Sequence, residues 1–146
     1  MADLNQYLRL RLGEATYLLP STTTYTIEQR DNLVANKAAE GNVAAWRALR
    51  TERIPAYCLD ALLKPVRRQN WQRAVFLDAK PQAVGLIADE VELLPRTETQ
   101  VVPFVPLGLP PTRNGHLFSG AWLSGKQVAL VLDPKALIAY LQSLGE

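Results

Sequence analysis

Histidine and cysteine are almost missing from this 146-residue chain, which has one of each, His116 and Cys58. One histidine excludes a histidine-based metal cluster or a His–His proton relay. One cysteine excludes an internal disulfide and a cysteine-based metal site. No apolar run approaches the roughly 18 residues needed to span a bilayer, so no membrane insertion is expected. The start, Met1-Ala-Asp-Leu-Asn-Gln6, has neither the basic opening nor the apolar stretch of a secretion signal, so the cytoplasm is the expected compartment. No glycine-rich phosphate loop precedes a predicted helix, since Gly120 and Gly125 fall in a predicted hairpin. No Gly-x-Ser-x-Gly elbow is present for a nucleophilic serine.

The reactive residue types that do occur read as structural. Cys58 lies between Tyr57 and Leu59 in an apolar stretch and is expected to be a buried, inert thiol. His116 reads as a strand-start residue satisfied locally. Asp89, Glu90 and Glu92 raise the question of a carboxylate pair or a Mg²⁺ site. Neighbours on a strand point to opposite faces, so the expectation is a solvated strand end. Trp46, Trp71 and Trp122 are too scattered for a stacking platform and are expected in packing. The chain is therefore read as a non-enzyme without cofactor or metal.

What is present is an ordinary soluble composition, 48% hydrophobic and 21% charged, sized for one compact domain over residues 1–146. Net charge is +2, unevenly spread. From Arg47 to Arg73, seven bases (Arg47, Arg50, Arg53, Lys64, Arg67, Arg68, Arg73) stand against two acids, Glu52 and Asp60. A basic middle on an otherwise acidic chain suits an acidic partner or nucleic acid, or is simply a solvated face.

Tyr7-Leu-Arg-Leu-Arg-Leu12 alternates strictly, which predicts a half-buried antiparallel strand, with Gly13-Glu14 turning into a second strand over 15–19. Residues 22–28, 53–58, 71–77, 82–91, 100–105, 116–123 and 127–132 read as further strands. Pro55 suggests a strand start or a sheet edge for 53–58. The alanine-rich 31–46 predicts a loop with a short helix, and 59–63 a helical turn or two. Residues 106–115 are rich in proline and glycine and read as an exposed loop. Asp133 is a good N-cap, Pro134 fits the first helical position, and Leu137, Ile138, Leu141 and Leu144 share one face of a terminal helix. About nine short strands with one helix indicate small β-barrels or a sandwich.

Three stretches carry a family likeness. Ala48-Leu-Arg-Thr-Glu-Arg-Ile-Pro-Ala-Tyr-Cys-Leu59 places Leu49, Arg50, Pro55 and Leu59 where CheW-like proteins carry their mid-domain signature. Gln82-Ala-Val-Gly-Leu-Ile-Ala-Asp-Glu-Val91 and Gly120 to Asp133 match the family's second half. The chain thus resembles the CheW-like domain family, the coupling modules of bacterial chemosensory arrays. Ala48, Thr51 and Cys58 depart from the asparagine, glycine and aspartate of the signature. The resemblance implies an all-β fold of two small five-stranded SH3-like barrel lobes with a C-terminal helix. It implies an adaptor whose partners are the regulatory domain of a CheA-type histidine kinase and the cytoplasmic tip of a chemoreceptor, the tip lying in a groove between the lobes. Flagellar chemotaxis and pilus motility both fit. The expected docking residues are Arg47, Leu49, Arg50 and Arg53, with Arg50 on a β surface offering bidentate contacts to carboxylates. A small nucleic-acid-binding barrel is the competing class, opposed by near-neutral overall charge and by the lack of aromatics alternating with the arginines. A small-molecule-binding barrel and a degenerate regulatory domain are the remaining alternatives.

Overall fold

The computed structural model describes residues 6–38, 40–68, 70–94, 100–103, 117–124 and 127–145. His116, the loop over 106–115 and the hairpin tip at 125–126 lie outside these. The strands form two sheets, each serving as one lobe. The first contains Tyr7–Leu12 (β1), Ala15–Pro20 (β2), Glu90–Leu93 (β10), Val101–Pro103 (β11), Phe118–Ser124 (β12) and Gln127–Leu132 (β13), in the order β10-β1-β2-β13-β12-β11. The second contains Thr24–Gln29 (β3), Val34–Ala35 (β4), Val43–Ala48 (β5), Arg53–Leu59 (β6), Pro65–Val66 (β7), Arg73–Leu77 (β8) and Val84–Ala88 (β9). Its order is β3-β8-β9-β6-β5-β4, with β7 against β6. Apart from the two- and three-residue strands β4, β7 and β11, each sheet has five strands, in line with the all-β, two-lobe expectation. The first lobe is made from both ends of the chain and the second from its middle.

Strict alternation divides the apolar residues among three clusters. Leu8, Leu10 and Leu12 of β1 meet Tyr57 and Leu59 of β6, Val75 and Leu77 of β8, and Leu86 of β9 in a core shared by both sheets. The opposite face of the second sheet packs Ile54, Ala56, Cys58, Ala74, Phe76 and Ile87 around Trp71. The opposite face of the first packs Tyr7, Leu18 and Val131 around Trp122. The three tryptophans thus anchor one cluster each, Trp46 being in the shared core. Both sheets curl. Arg47 of β5 reaches Glu28 and Tyr25 of β3, which lies at the far edge of its sheet, so that sheet's two sides meet.

The terminal helix α1 spans Pro134–Leu144, with the Asp133 carboxylate accepting from the Ala136 N–H at 3.1 Å. Leu137 and Leu141 are fully buried in the shared core, while Ile138 and Leu144 are half-buried at its margin. Although α1 follows a strand of the first lobe, its polar ties go to the second. Asn42 donates to the Leu144 carbonyl (2.9 Å), Gln142 to the Lys80 carbonyl (2.8 Å) and the Tyr140 hydroxyl to the Leu63 carbonyl.

Four local expectations are corrected. The alanine-rich stretch forms no helix: a 3-10 turn over Arg30–Asn32 leads to β4 and β5. Alanine's helix preference is worth only tenths of a kcal/mol per residue, less than burying Val43, Ala45 and Trp46 between neighbours. Residues 59–63 form a tight turn rather than helix. The Asp60 carboxylate caps the Leu62 and Lys64 N–H groups at 2.8 and 3.0 Å, and Leu63 takes a left-handed φ of 64°. Strand β6 is interior, not an edge. Pro55 fits because pairing with β9 begins one residue later, at Ala56. The single strand expected over 82–91 is two, β9 and β10, which belong to different sheets and are separated by Asp89.

Candidate docking surface

Strands β5 and β6 form a hairpin in which Ala48 pairs with Arg53, and the Leu49 N–H donates to the Glu52 carbonyl at 2.8 Å. The signature residues Leu49-Arg50-Thr51-Glu52 are therefore the hairpin tip, and every one of them is exposed. Leu49 keeps 39% of its surface in water, unusual for a leucine next to a well-packed sheet. Arg50 sits on this turn, not on the sheet surface, and has no hydrogen bond, ion pair or ring contact among the described residues. Its guanidinium is free to reach a partner.

The other two expected arginines are differently placed. Arg47 is half-buried and clamps the seam of its lobe: Nε lies 3.3 Å from Glu28 Oε1, and the guanidinium sits 5.2 Å from the Tyr25 ring while donating to its hydroxyl. Arg53 lies 4.0 Å over the Trp46 ring. Arg47 is thus structural in its own right, and Arg53 is a stacked, partly presented cation. Arg67 is also committed, donating to the backbone carbonyls of Asn36 (2.7 Å), Ala38 (3.1 Å) and Gly41 (3.3 Å). The basic middle therefore does not form one free cationic surface. Arg50, Lys64 and Arg73 are its members whose side chains make no hydrogen bond, ion pair or ring contact among the described residues.

Sequence reading missed Tyr25. On β3 the exposed face carries Tyr25 (46%) and Ile27 (42%), while the smaller Thr24 and Thr26 with Glu28 turn inward. Apolar residues on the water side of a sheet edge mark a contact surface, and Arg47 joins Tyr25 to the hairpin that carries Leu49 and Arg50. The available signal was the Thr-Tyr-Thr-Ile alternation, but alternation alone does not say which face is inside.

Between the lobes lies a groove of about 1080 Å³. Its charged lining is balanced: Arg9 and Arg11 with Glu90 and Glu92 on the first lobe, Arg30 and Arg73 with Asp31 on the second, and Asp89 at the crossover. Arg9 pairs with Glu92, and Arg11 Nε lies 3.3 Å from Glu90, following the β1–β10 register. Asp89 is the departure from expectation. Glu90 is solvated, but the Asp89 side chain is only 9% exposed. It accepts from the Gly13 N–H at 2.8 Å and from Arg68 at 3.2 Å, with Arg11 at 3.8 Å. The reason is the crossover itself. At this crossover the carboxylate is packed between the Gly13 turn of one lobe and Arg68 of the other, and with so little access to water it must find its donors there.

Cys58 is fully buried in the outer core of the second lobe, and burial pushes its thiol above the ordinary value, with nearby Arg68 partly offsetting this. A thiol reagent should therefore modify native protein at pH 8 at least about a thousandfold more slowly than urea-unfolded protein, since reaction must wait for opening. Prompt stoichiometric labelling of the folded chain would show that the pocket is open.

The CheW-like domain family matches residues 6–142 of the chain. Among solved structures, the chain is similar to the crystal structure of scaffolding protein TtCheW from Thermoanaerobacter tengcongensis, with TM-score 0.63 and 19% identity, covering 88% of each chain. No curated protein sequence matches it.

Proposed function

The chain belongs to the CheW-like domain family, and from that premise we propose that it is a non-enzymatic adaptor of a bacterial chemosensory pathway, for flagellar or pilus motility. Its partners in this reading are the regulatory domain of a CheA-type histidine kinase and the cytoplasmic tip of a chemoreceptor. The family match and the fold shared with a protein described as a scaffold support the reading. The observation that carries it for this chain is the hairpin tip, where Leu49 and an unpartnered Arg50 stand in solvent on a rigid two-stranded base. An exposed arginine beside an exposed leucine, with the Tyr25 surface on the same lobe, suits a protein interface of mixed apolar and charged character. Arg47 and Arg53 shape this surface. Arg50 makes the direct contact, to a carboxylate of the partner.

The nucleic-acid alternative gains nothing from the structure, because Arg47, Arg67 and Arg68 are held by groups of their own chain. Among the described residues no helix is long and apolar enough to cross a membrane.

The test is charge reversal. Arg50→Glu should weaken binding to the kinase regulatory domain or to a receptor-tip fragment at least tenfold, about 1.4 kcal/mol. Its melting temperature should stay within a few degrees of the parent's, because the side chain makes no hydrogen bond, ion pair or ring contact among the described residues. Titration calorimetry against both fragments checks this. Unchanged affinity for both would remove Arg50 from the interface, and a parent protein that binds neither fragment would remove the adaptor reading.

A further inference from the structure

The Asp89 carboxylate lines the groove and bonds to both lobes, and the Tyr17 hydroxyl of the first lobe also donates to the Ala61 carbonyl of the second at 2.6 Å. Asp89 is ion-paired to both lobes, whereas Arg9–Glu92, Arg11–Glu90 and Arg47–Glu28 each stay within one sheet. Asp89 follows the last residue of β9 and precedes the first of β10, so the chain changes lobe at this residue. Its carboxylate reaches into the first lobe to the N–H of Gly13, in the β1–β2 turn, and into the second to Arg68, just beyond β7. Its own N–H donates to the Arg11 carbonyl at 2.8 Å, so backbone and side chain both grip the end of β1.

We propose that Asp89 is a positioning residue that fixes the angle between the lobes and so the width of the groove. The argument rests on leverage and on desolvation. The shared core clamps the lobes from one side, but the groove side is open, with a volume of about 1080 Å³, and Asp89 is part of its lining. The walls are β1 and β10 on one side, and β8 with the Arg30–Asn32 turn on the other. Gly13 sits at the end of β1, the strand that carries the wall residues Arg9 and Arg11. Gly13 has φ 63°, a conformation suited to glycine, which lets the turn aim its N–H at the carboxylate. At 9% exposure the carboxylate has little access to water as a replacement partner. A bond lost to one lobe is then recovered only by moving that lobe or by admitting water. Changes in the pin therefore become changes in groove width. The reading holds whatever occupies the groove. Its bearing on partner affinity rests on the adaptor function proposed above.

The test measures the lobes directly. Nitroxide labels at Val34→Cys on the second lobe and Val128→Cys on the first, both on exposed side chains, report the distance between lobes by pulsed electron resonance. Buried Cys58 stays unlabelled in the folded chain. Asp89→Asn keeps the shape but loses the charge, and with its oxygen on the Gly13 N–H it sets an amide donor against Arg68. It should shift the distance and roughly double the width of its distribution. Arg68→Gln should do the same with the carboxylate intact, whereas Arg68→Lys, which keeps the charge, should restore the narrow distribution. A purely structural residue would lower the melting temperature and leave the distribution of the folded fraction unchanged. That result in Asp89→Asn, or in Arg68→Gln should the first variant fail to fold, overturns the proposal. Affinity for the kinase regulatory domain is the second arm. A parent that binds while Asp89→Asn binds about tenfold more weakly extends the pin to partner selection. A parent that binds nothing counts against the adaptor reading alone and leaves the distance result standing.

Discussion

Leu141→Ala should lower the free energy of unfolding by about 2–5 kcal/mol, a large share of the roughly 5–15 kcal/mol typical of a domain. Leu141 is completely buried in the core shared by both sheets, and its neighbour on the helix face, Leu137, is equally buried. Truncation removes its transfer energy and leaves a cavity that two sheets, held apart by Leu10, Leu59 and Leu86, cannot close. The helix is also the element that ties the chain's end to the opposite lobe, through Asn42, Gln142 and Tyr140. Loosening it should therefore be felt by both sheets in one cooperative transition. Urea denaturation followed by fluorescence and by circular dichroism checks this, with coincident curves and an unchanged slope expected. Lys135→Ala, on the exposed side of the same helix, should stay within about 0.5 kcal/mol of the parent. A loss below 1 kcal/mol for Leu141→Ala would mean that the helix is not part of the core.

Gly85→Ala should cost about 1–3 kcal/mol, although alanine ordinarily suits a folded chain better than glycine. Gly85 lies between Phe76 on β8 and Ala56 on β6, which are its direct partners in the sheet. A Cβ there would stand 2.6 and 2.9 Å from the Phe76 ring and 3.0 Å from the Ala56 methyl. Phe76 has no exposure at all, so the ring has nowhere to swing. What crowds Gly85 is a side chain rather than backbone. That difference gives the decisive control. Phe76→Leu is destabilising by itself, yet it should make the added methyl of Gly85→Ala cheaper, a favourable coupling of at least about 0.5 kcal/mol in the double-mutant cycle. Additive losses would show that the ring is not the obstacle.

Much of the architecture could be read before any coordinates. The Leu8, Leu10, Leu12 alternation placed β1 with its arginines outward, and those arginines do meet Glu90 and Glu92 of β10. The Asp133-Pro134 cap and the leucine spacing gave α1 its bounds. Pattern also failed in instructive places. Alanine-rich 43–48 became a strand because its neighbours supply what its own propensity does not. The solvated acidic pair divided into one exposed and one buried carboxylate because the chain changes sheets between them. On β3, Tyr25 and Ile27 face water while threonines turn inward, which period alone does not decide.

By itself the sequence determined the strand-rich class, the two-faced strands, the capped terminal helix and the likeness to the CheW-like family. These depend on periodicity and on groups within about four residues of one another, where chain geometry leaves little choice. The tertiary structure decided which charges are spent and which are free. Arg47 is consumed by a glutamate 19 residues away, Arg68 by an aspartate 21 residues away, and that aspartate also by a backbone N–H 76 residues away. Arg50 has no such claimant among the described residues. Composition counts these arginines as equals. Only the closure of each sheet, which brings distant carboxylates into contact and removes water from them, separates the structural cations from those left uncommitted, Arg50 among them.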